Sequence, residues 1–182
     1  VVPTGLDHGT ITAVADGAPF EITTLRKDVE TFGRRAVVAF TTDWAEDAAR
    51  RDFRLNAVYC GLDGALFDPF GGVKDAEAGR IVFIGEPRER IAEDHLRILR
   101  FYRFNAWYAA EIDPDGQAAC SEMARSLERL SVERVWKELK KLFAAPDPSL
   151  AIEAMQEGHV LEPVIPGPLD FRLLLSLINR DR

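Results

Sequence analysis

Arg50-Arg51-Asp52-Phe53-Arg54-Leu55-Asn56-Ala57 stands where a helical pattern gives way to a strand pattern. Adjacent arginines at such a junction can bind a triphosphate, because guanidinium pairs bidentately with phosphate oxygens. Asn56 can hydrogen-bond a sugar hydroxyl. The same residues also suit an ordinary surface helix end, since the helix dipole favours Arg near a C-terminus. Upstream, residues 43–52 read as helix: Asp43 can cap it, and Ala45, Ala48 and Ala49 favour it. Residues 10–15 and 20–25 are β-rich around Asp16-Gly17, a hairpin signal. Residues 36–40 form a short Val-rich run. Downstream, residues 55–62 and 65–67 flank Asp63-Gly64 as a second hairpin. Residues 71–79 read as a polar connection and 81–84 as one more short strand.

Past Pro87 the character changes. Apolar residues recur at helical spacing, which predicts helices near 88–108, 115–127, 131–144, 147–157 and 170–179. Ser131 is a good N-cap, with Glu133 in the first turn. The division falls near residue 86, with a mixed α/β part before it and an all-helical part after it; the fold class is α+β overall. The first helix carries Glu93-Asp94-His95-Leu96-Arg97-Ile98-Leu99-Arg100-Phe101-Tyr102-Arg103-Phe104. A continuous helix puts Glu93, Asp94 and Arg97 close together, with Arg100 and Arg103 continuing the stripe. A carboxylate beside a guanidinium offers an acceptor and paired donors, which reading a base's Watson–Crick edge requires. An intrahelical ion pair is the plainer reading of the same residues.

The chain has 182 residues, 47% hydrophobic and 29% charged, which places it among globular proteins and away from disordered tails. Its apolar runs fall short of the roughly 18 residues that suggest a membrane span. No signal peptide and no initiator Met are visible. The net charge of −7 argues against broad nonspecific nucleic-acid binding, so a nucleic-acid partner needs a local basic patch. Residues 80–103, with six arginines among four carboxylates, are one candidate, although their pattern alone favours a solvated, salt-bridged helix face. Cys60 and Cys120 are isolated, which points to a reduced, cytoplasmic compartment.

Other chemistry-bearing residues are sparse. Glu21 shares a strand face with Thr23 and Leu25; it can border a metal site or be an ordinary exposed strand residue. His8, His95 and His159 are dispersed. Trp44, Trp107 and Trp136 read as packing residues. Gly71-Gly72-Val73-Lys74 lacks the spacing of a phosphate-binding loop.

In this order the segments resemble the class II tRNA nucleotidyltransferase/poly(A) polymerase family. Residues 50–57 resemble its RRDFTINA motif, which contacts ribose and triphosphate. Asp68-Pro69-Phe70-Gly71-Gly72-Val73-Lys74-Asp75 is similar to its DPxxGxxD motif, a flexible element joining head and neck. Glu93-Asp94-His95-Leu96-Arg97 resembles its EDxxR motif, the protein template that selects CTP or ATP. Leu130-Ser131-Val132-Glu133-Arg134-Val135-Trp136-Lys137-Glu138-Leu139 resembles its fifth motif, which braces the neck helices.

The resemblance implies an α/β nucleotidyltransferase (polymerase-β-like) head remnant followed by an all-helical neck and body. Residues 1–86 would be a partial head domain, and 87–182 the neck and the start of the body. The implied reaction is transfer of CMP and AMP to the 3′ end of tRNA with release of pyrophosphate. A poly(A) polymerase of the same family and a noncatalytic RNA-binding module are the alternatives. The implied partners are CTP, ATP and the tRNA 3′ end, with no membrane; the oligomeric state stays open. Arg51, Asp52 and Asn56 would hold ribose and triphosphate. Asp94 and Arg97 would pair with the base, supported by Arg100 and Arg103. Glu21 resembles the third catalytic carboxylate of a two-Mg²⁺ site. The Asp-x-Asp pair that would hold those ions is not in the sequence, and the resemblance puts Val1 just after it. No metal ligand set is therefore expected in this fragment, and on its own it is expected to be inactive.

Overall fold

Asp16 and Gly17, with φ of 52° and 80°, form the tight turn read from the sequence. Around it, β1 (Val2–Gly5), β2 (Thr10–Ala15) and β3 (Ala18–Thr23) make an antiparallel sheet in that order. The β2–β3 register runs from Thr10 opposite Thr23 to Ala15 opposite Ala18. Next come β4 (Arg26–Phe32) and β5 (Arg35–Phe40), paired antiparallel with a register shift between Asp28 and Glu30. The sequence reading found β5 but not β4, because RKDVETF is too charged to read as a strand. In α1 (Trp44–Ala49) the Asp43 carboxylate caps the Ala45 N–H at 2.7 Å, as its spacing predicts.

The computed structural model describes residues 2–5, 9–32, 35–165, 167, 171 and 176. The chain divides into two compact units, Val1–Arg51 and Asp52–Arg182. His8 and, apart from residues 171 and 176, the expected helix at 170–179 lie outside the described residues.

The second unit opens on an isolated antiparallel bridge between Phe53 and Phe83. It is flanked by Arg54 N–H donating to the Val82 carbonyl (3.0 Å) and Ile84 N–H to the Asp52 carbonyl (3.0 Å). Residues 81–84 thus make a bridge where a strand was expected. Residues Arg54–Ala57 form a 3₁₀ turn, so the hairpin around Gly64 shrinks to β6 (Tyr59–Cys60) and β7 (Leu66–Phe67).

A short helix, α2 (Gly72–Glu77), replaces the expected polar connection. Its cause lies four residues back. The Asp68 carboxylate accepts the N–H groups of Gly72 (2.7 Å) and Val73 (3.0 Å), satisfying donors that a helix start leaves open. The slight burial of that carboxylate would raise its pKa, but these N–H groups, with those of Gly71 and Phe70, hold it lower than usual. Gly71 takes the left-handed conformation (φ 77°) that turns the chain into the helix.

The helices follow as α3 (Pro87–Glu93), α4 (Leu96–Tyr108), α5 (Pro114–Glu122), α6 (Val132–Phe143) and α7 (Ser149–Glu157), with a 3₁₀ segment at Ala124–Arg129. The expected helix at 115–127 ends at Glu122 and gives way to that segment. Ser131 sits at the N-cap of α6, yet its backbone carbonyl, not its hydroxyl, takes the Arg134 and Val135 N–H groups. Buried at the centre, α4 packs on α6 and α7. The sequence changes character near residue 86, but the core does not: Phe53, Ile81 and Phe83 lie in one apolar cluster with Ile98, Phe101 and Tyr102.

Gly72 has the closest surroundings of the described glycines in this unit. A Cβ there would sit 2.1 Å from the Arg54 carbonyl oxygen and 2.8 Å from Val58 Cγ2. Gly72→Ala is expected to cost about 2 kcal/mol, in the range of overpacked cores. Urea unfolding measures it; an unchanged midpoint would mean that α2 shifts away freely.

Candidate functional site

The Phe53 ring is fully buried and meets those of Phe83 (centroids 4.9 Å apart), Phe104 (5.3 Å) and Phe101 (6.3 Å). This anchor presents its neighbours in the chain to α4. Asp52 is 7% exposed. Its Oδ1 accepts from the Phe53 N–H (3.0 Å) and the Asn56 amide (2.8 Å). Its Oδ2 accepts from Arg100 Nε (2.6 Å), with Arg100 Nη2 at 2.5 Å. Three sequence-derived candidates, Asp52, Asn56 and Arg100, are therefore joined directly. Burial alone would raise the Asp52 pKa. The Arg100 charge, the Asn56 and Arg100 hydrogen bonds and the Phe53 N–H outweigh it and hold the carboxyl below its ordinary value.

Arg97, Arg100 and Arg103 follow one another at helical spacing on α4. Arg97 donates to the Arg90 carbonyl (2.7 Å) and pairs with Glu93, which also holds Arg90 at 2.6 Å. Arg103 lies 2.5 Å from Glu138 of α6, with its guanidinium 4.1 Å from the Phe104 ring centroid.

The expected continuous helix at 88–108 is broken at Asp94, which is extended (φ −148°, ψ 105°). Its side chain accepts the Leu96 N–H (3.1 Å) and its carbonyl the Arg97 N–H (3.0 Å), so local hydrogen bonds to Asp94 replace the helical ladder. Asp94 thus stands at the entrance to α4, not one turn below Arg97 on the same helix. Arg134 of α6 holds it, with Nη2 at 3.1 Å from Oδ1 and 2.9 Å from Oδ2.

The sequence reading did not single out Arg134 or Glu138. Both lie in the stretch taken as bracing, four residues apart, and that spacing alone would have put them on one face of α6.

The remaining candidates belong to the first unit. Arg51 donates through Nε (3.1 Å) and Nη2 (2.9 Å) to Asp47, and Arg50 Nε to the same carboxylate (2.9 Å). Asp47, 1% exposed, also accepts the Arg26 N–H at 3.0 Å. It too was missed, although its spacing from Arg50 and Arg51 is that of helical ion pairs. Glu21 is exposed on β3, opposite Thr12. Among the described residues no three His, Cys, Asp or Glu side chains are grouped so as to hold a metal ion. These residues therefore do not by themselves fit a two-Mg²⁺ site.

Comparison with known proteins bears on this arrangement. A family profile described as "Poly A polymerase head domain" matches residues 1–82, and one described as "Probable RNA and SrmB-binding site of polymerase A" matches residues 111–171. The CCA tRNA nucleotidyltransferase 1, mitochondrial, of Danio rerio is 46% identical over 161 residues, covering 87% of this chain and 35% of that protein. The CCA-adding enzyme of Leuconostoc mesenteroides is 35% identical over 185 residues, covering 100% of this chain and 46% of that protein. The crystal structure of the Bacillus stearothermophilus CCA-adding enzyme in complex with CTP superposes with a TM-score of 0.82 at 32% identity, covering 97% of this chain and 43% of that one. The chain thus spans less than half the length of these relatives, between 35% and 46%.

The Asp52–Arg100 pair gives a stability test. Asp52 has a lowered folded-state pKa, so its contribution is full above the unfolded-state value near about 3.9 and is lost as pH falls through the folded one. Asp52→Asn should flatten the acid limb of the stability curve below about pH 4. At neutral pH Arg100→Ala should cost more, about 2–4 kcal/mol, because it strands a buried carboxylate, whereas Arg100, 33% exposed, can be solvated alone. Denaturant titrations across pH measure both; an equal cost for the two variants would contradict this ordering.

Proposed function

The chain belongs to the class II tRNA nucleotidyltransferase/poly(A) polymerase family, and from that premise we propose that it carries the nucleotide-selecting part of an enzyme adding CMP and AMP to the tRNA 3′ end with release of pyrophosphate. The observation that carries the reading is the hydrogen-bonded set Asp52–Asn56–Arg100 beside the Arg97–Arg100–Arg103 stripe. Asp52 orients Asn56 for the ribose and Arg100 for the pocket wall, while Arg51 contacts the triphosphate. Asp94 and Arg97 pair with the base, and Arg103 supports the pocket. Residues 1–86 make up the head part and 87–182 the neck and the start of the body.

CTP, ATP and the tRNA 3′ end are the proposed partners. Two similar structures support this, one a CCA-adding enzyme in complex with CTP and one, at 25% identity, the Thermotoga maritima CCA-adding enzyme in complex with tRNA. Mg²⁺ is the proposed cofactor of the whole enzyme, and Glu21 is proposed as a catalytic carboxylate of that enzyme. A cytoplasmic location accords with two free thiols, Cys60 and Cys120. No helix among the described residues is long and apolar enough to cross a membrane. Addition of AMP alone in long runs is the second reading, favoured by the head profile's description.

The test is nucleotide selection. Cytosine and adenine share an amino group that a carboxylate can accept, while uracil and guanine present a carbonyl there. In the whole gene product, Asp94→Ala should weaken selection against UTP and GTP by roughly ten-fold, the equivalent of about 1.4 kcal/mol. Arg134→Ala should move it the same way, since it releases Asp94. The measurement is kcat/KM for each nucleotide on tRNA lacking its 3′ end. An equal fall for all four would make Asp94 a structural residue, and extension with ATP alone would favour the second reading.

A further inference from the structure

One face of α6 lies outside the site. Val135, Glu138, Leu139 and Leu142 are buried, with Arg134 and Glu138 paired to Asp94 and Arg103. On the opposite side Val132 is 78% and Trp136 58% exposed, contrary to the reading of Trp136 as a packing residue. Lys137, Lys140 and Lys141 are exposed beside them and have no ion-pair partner among the described residues. At the far end of the helix, Trp107 donates its indole N–H to the Lys141 carbonyl (2.8 Å) and remains 42% exposed. Its ring is 6.4 Å from that of Tyr108, itself 59% exposed.

We infer that this face of α6 is a docking surface for single-stranded RNA. Trp136 is a stacking platform for a base, the three lysines contact backbone phosphates, and Trp107 with Tyr108 extends the platform. Charge decides between occupants. A packed protein surface would have to desolvate three unpaired ammonium groups to cover Trp136, whereas a nucleic-acid strand brings a phosphate with every base. The helix dipole accounts for Lys140 and Lys141 in the last turn. It does not account for an exposed indole one turn earlier. Trp136 and the three lysines also fall within residues 111–171, matched by the RNA-binding profile, whereas Trp107 and Tyr108 precede it. A local basic patch on an acidic chain is what the net charge of −7 demands of an RNA partner.

The inference rests on the RNA part of the proposed function and adds a site to it. The experiment titrates the full chain with an end-labelled single-stranded RNA of about a dozen nucleotides, enough to span a typical single-strand site. Anisotropy is read against salt, and tryptophan quenching in parallel. Trp136→Ala should weaken binding about five-fold or more, and replacing Lys137, Lys140 and Lys141 by Gln should lower the salt slope by about two. Both variants change exposed side chains, so thermal protection by CTP should be unchanged. RNA binding insensitive to both variants, or no RNA binding, overturns the inference, as does self-association through this face that Trp136→Ala abolishes. Failure of CTP to protect any form counts against the nucleotide site instead.

Discussion

The geometry of the site depends on one buried ion pair. Asp52 sits beside Phe53, whose ring is locked among Phe83, Phe101 and Phe104, and its carboxylate reaches Arg100 in the middle of α4. The aromatic cluster supplies the burial energy; the ion pair supplies direction. A pair of this kind adds little net stability over an apolar replacement, because Asp52 loses most of its solvation and Arg100 part of its own. Its effect is to fix which way Arg100 and Asn56 point, since the same carboxylate holds both.

The charges around it are organised the same way. Arg97 is held by Glu93 and the Arg90 carbonyl, Asp94 by Arg134, and Arg103 by Glu138. Each residue that would face a nucleotide is thus pre-positioned by a partner on a rigid element, which lowers the ordering cost of binding. Two of these partners, Arg134 and Glu138, come from α6, so that helix both closes the core and sets the orientation of residues on either side of the break at Asp94. The break places the carboxylate of Asp94, the proposed base-reading group, on an extended residue with its backbone freed from the helix ladder.

What was legible in the sequence was local. The Asp16-Gly17 turn, the Asp43 cap and the helices at Val132–Phe143 and Ser149–Glu157 follow from short-range signals and appear nearly where expected. What was not legible depended on atoms distant in sequence or on side chains acting as backbone. α2 forms because Asp68 reaches forward to Gly72 and Val73, and α3 stops where Asp94 turns extended and its side chain takes the Leu96 N–H. β4 was hidden by its charge. For the site, motif spacing named Asp52, Asn56 and Arg100, but not that they bond to one another across 48 residues of chain. Arg134 was invisible for the same reason: it is 40 residues from Asp94.

The proposed nucleotide site runs along α4 between Asp94 and Arg103, beside Asp52 and Asn56. The most direct test is to follow backbone amide chemical shifts of the chain during titration with CTP. Shifts concentrated at residues 52–56 and 93–104, saturating together, are predicted. Shifts confined to other elements, or none at CTP concentrations that protect the chain against heat, would contradict it.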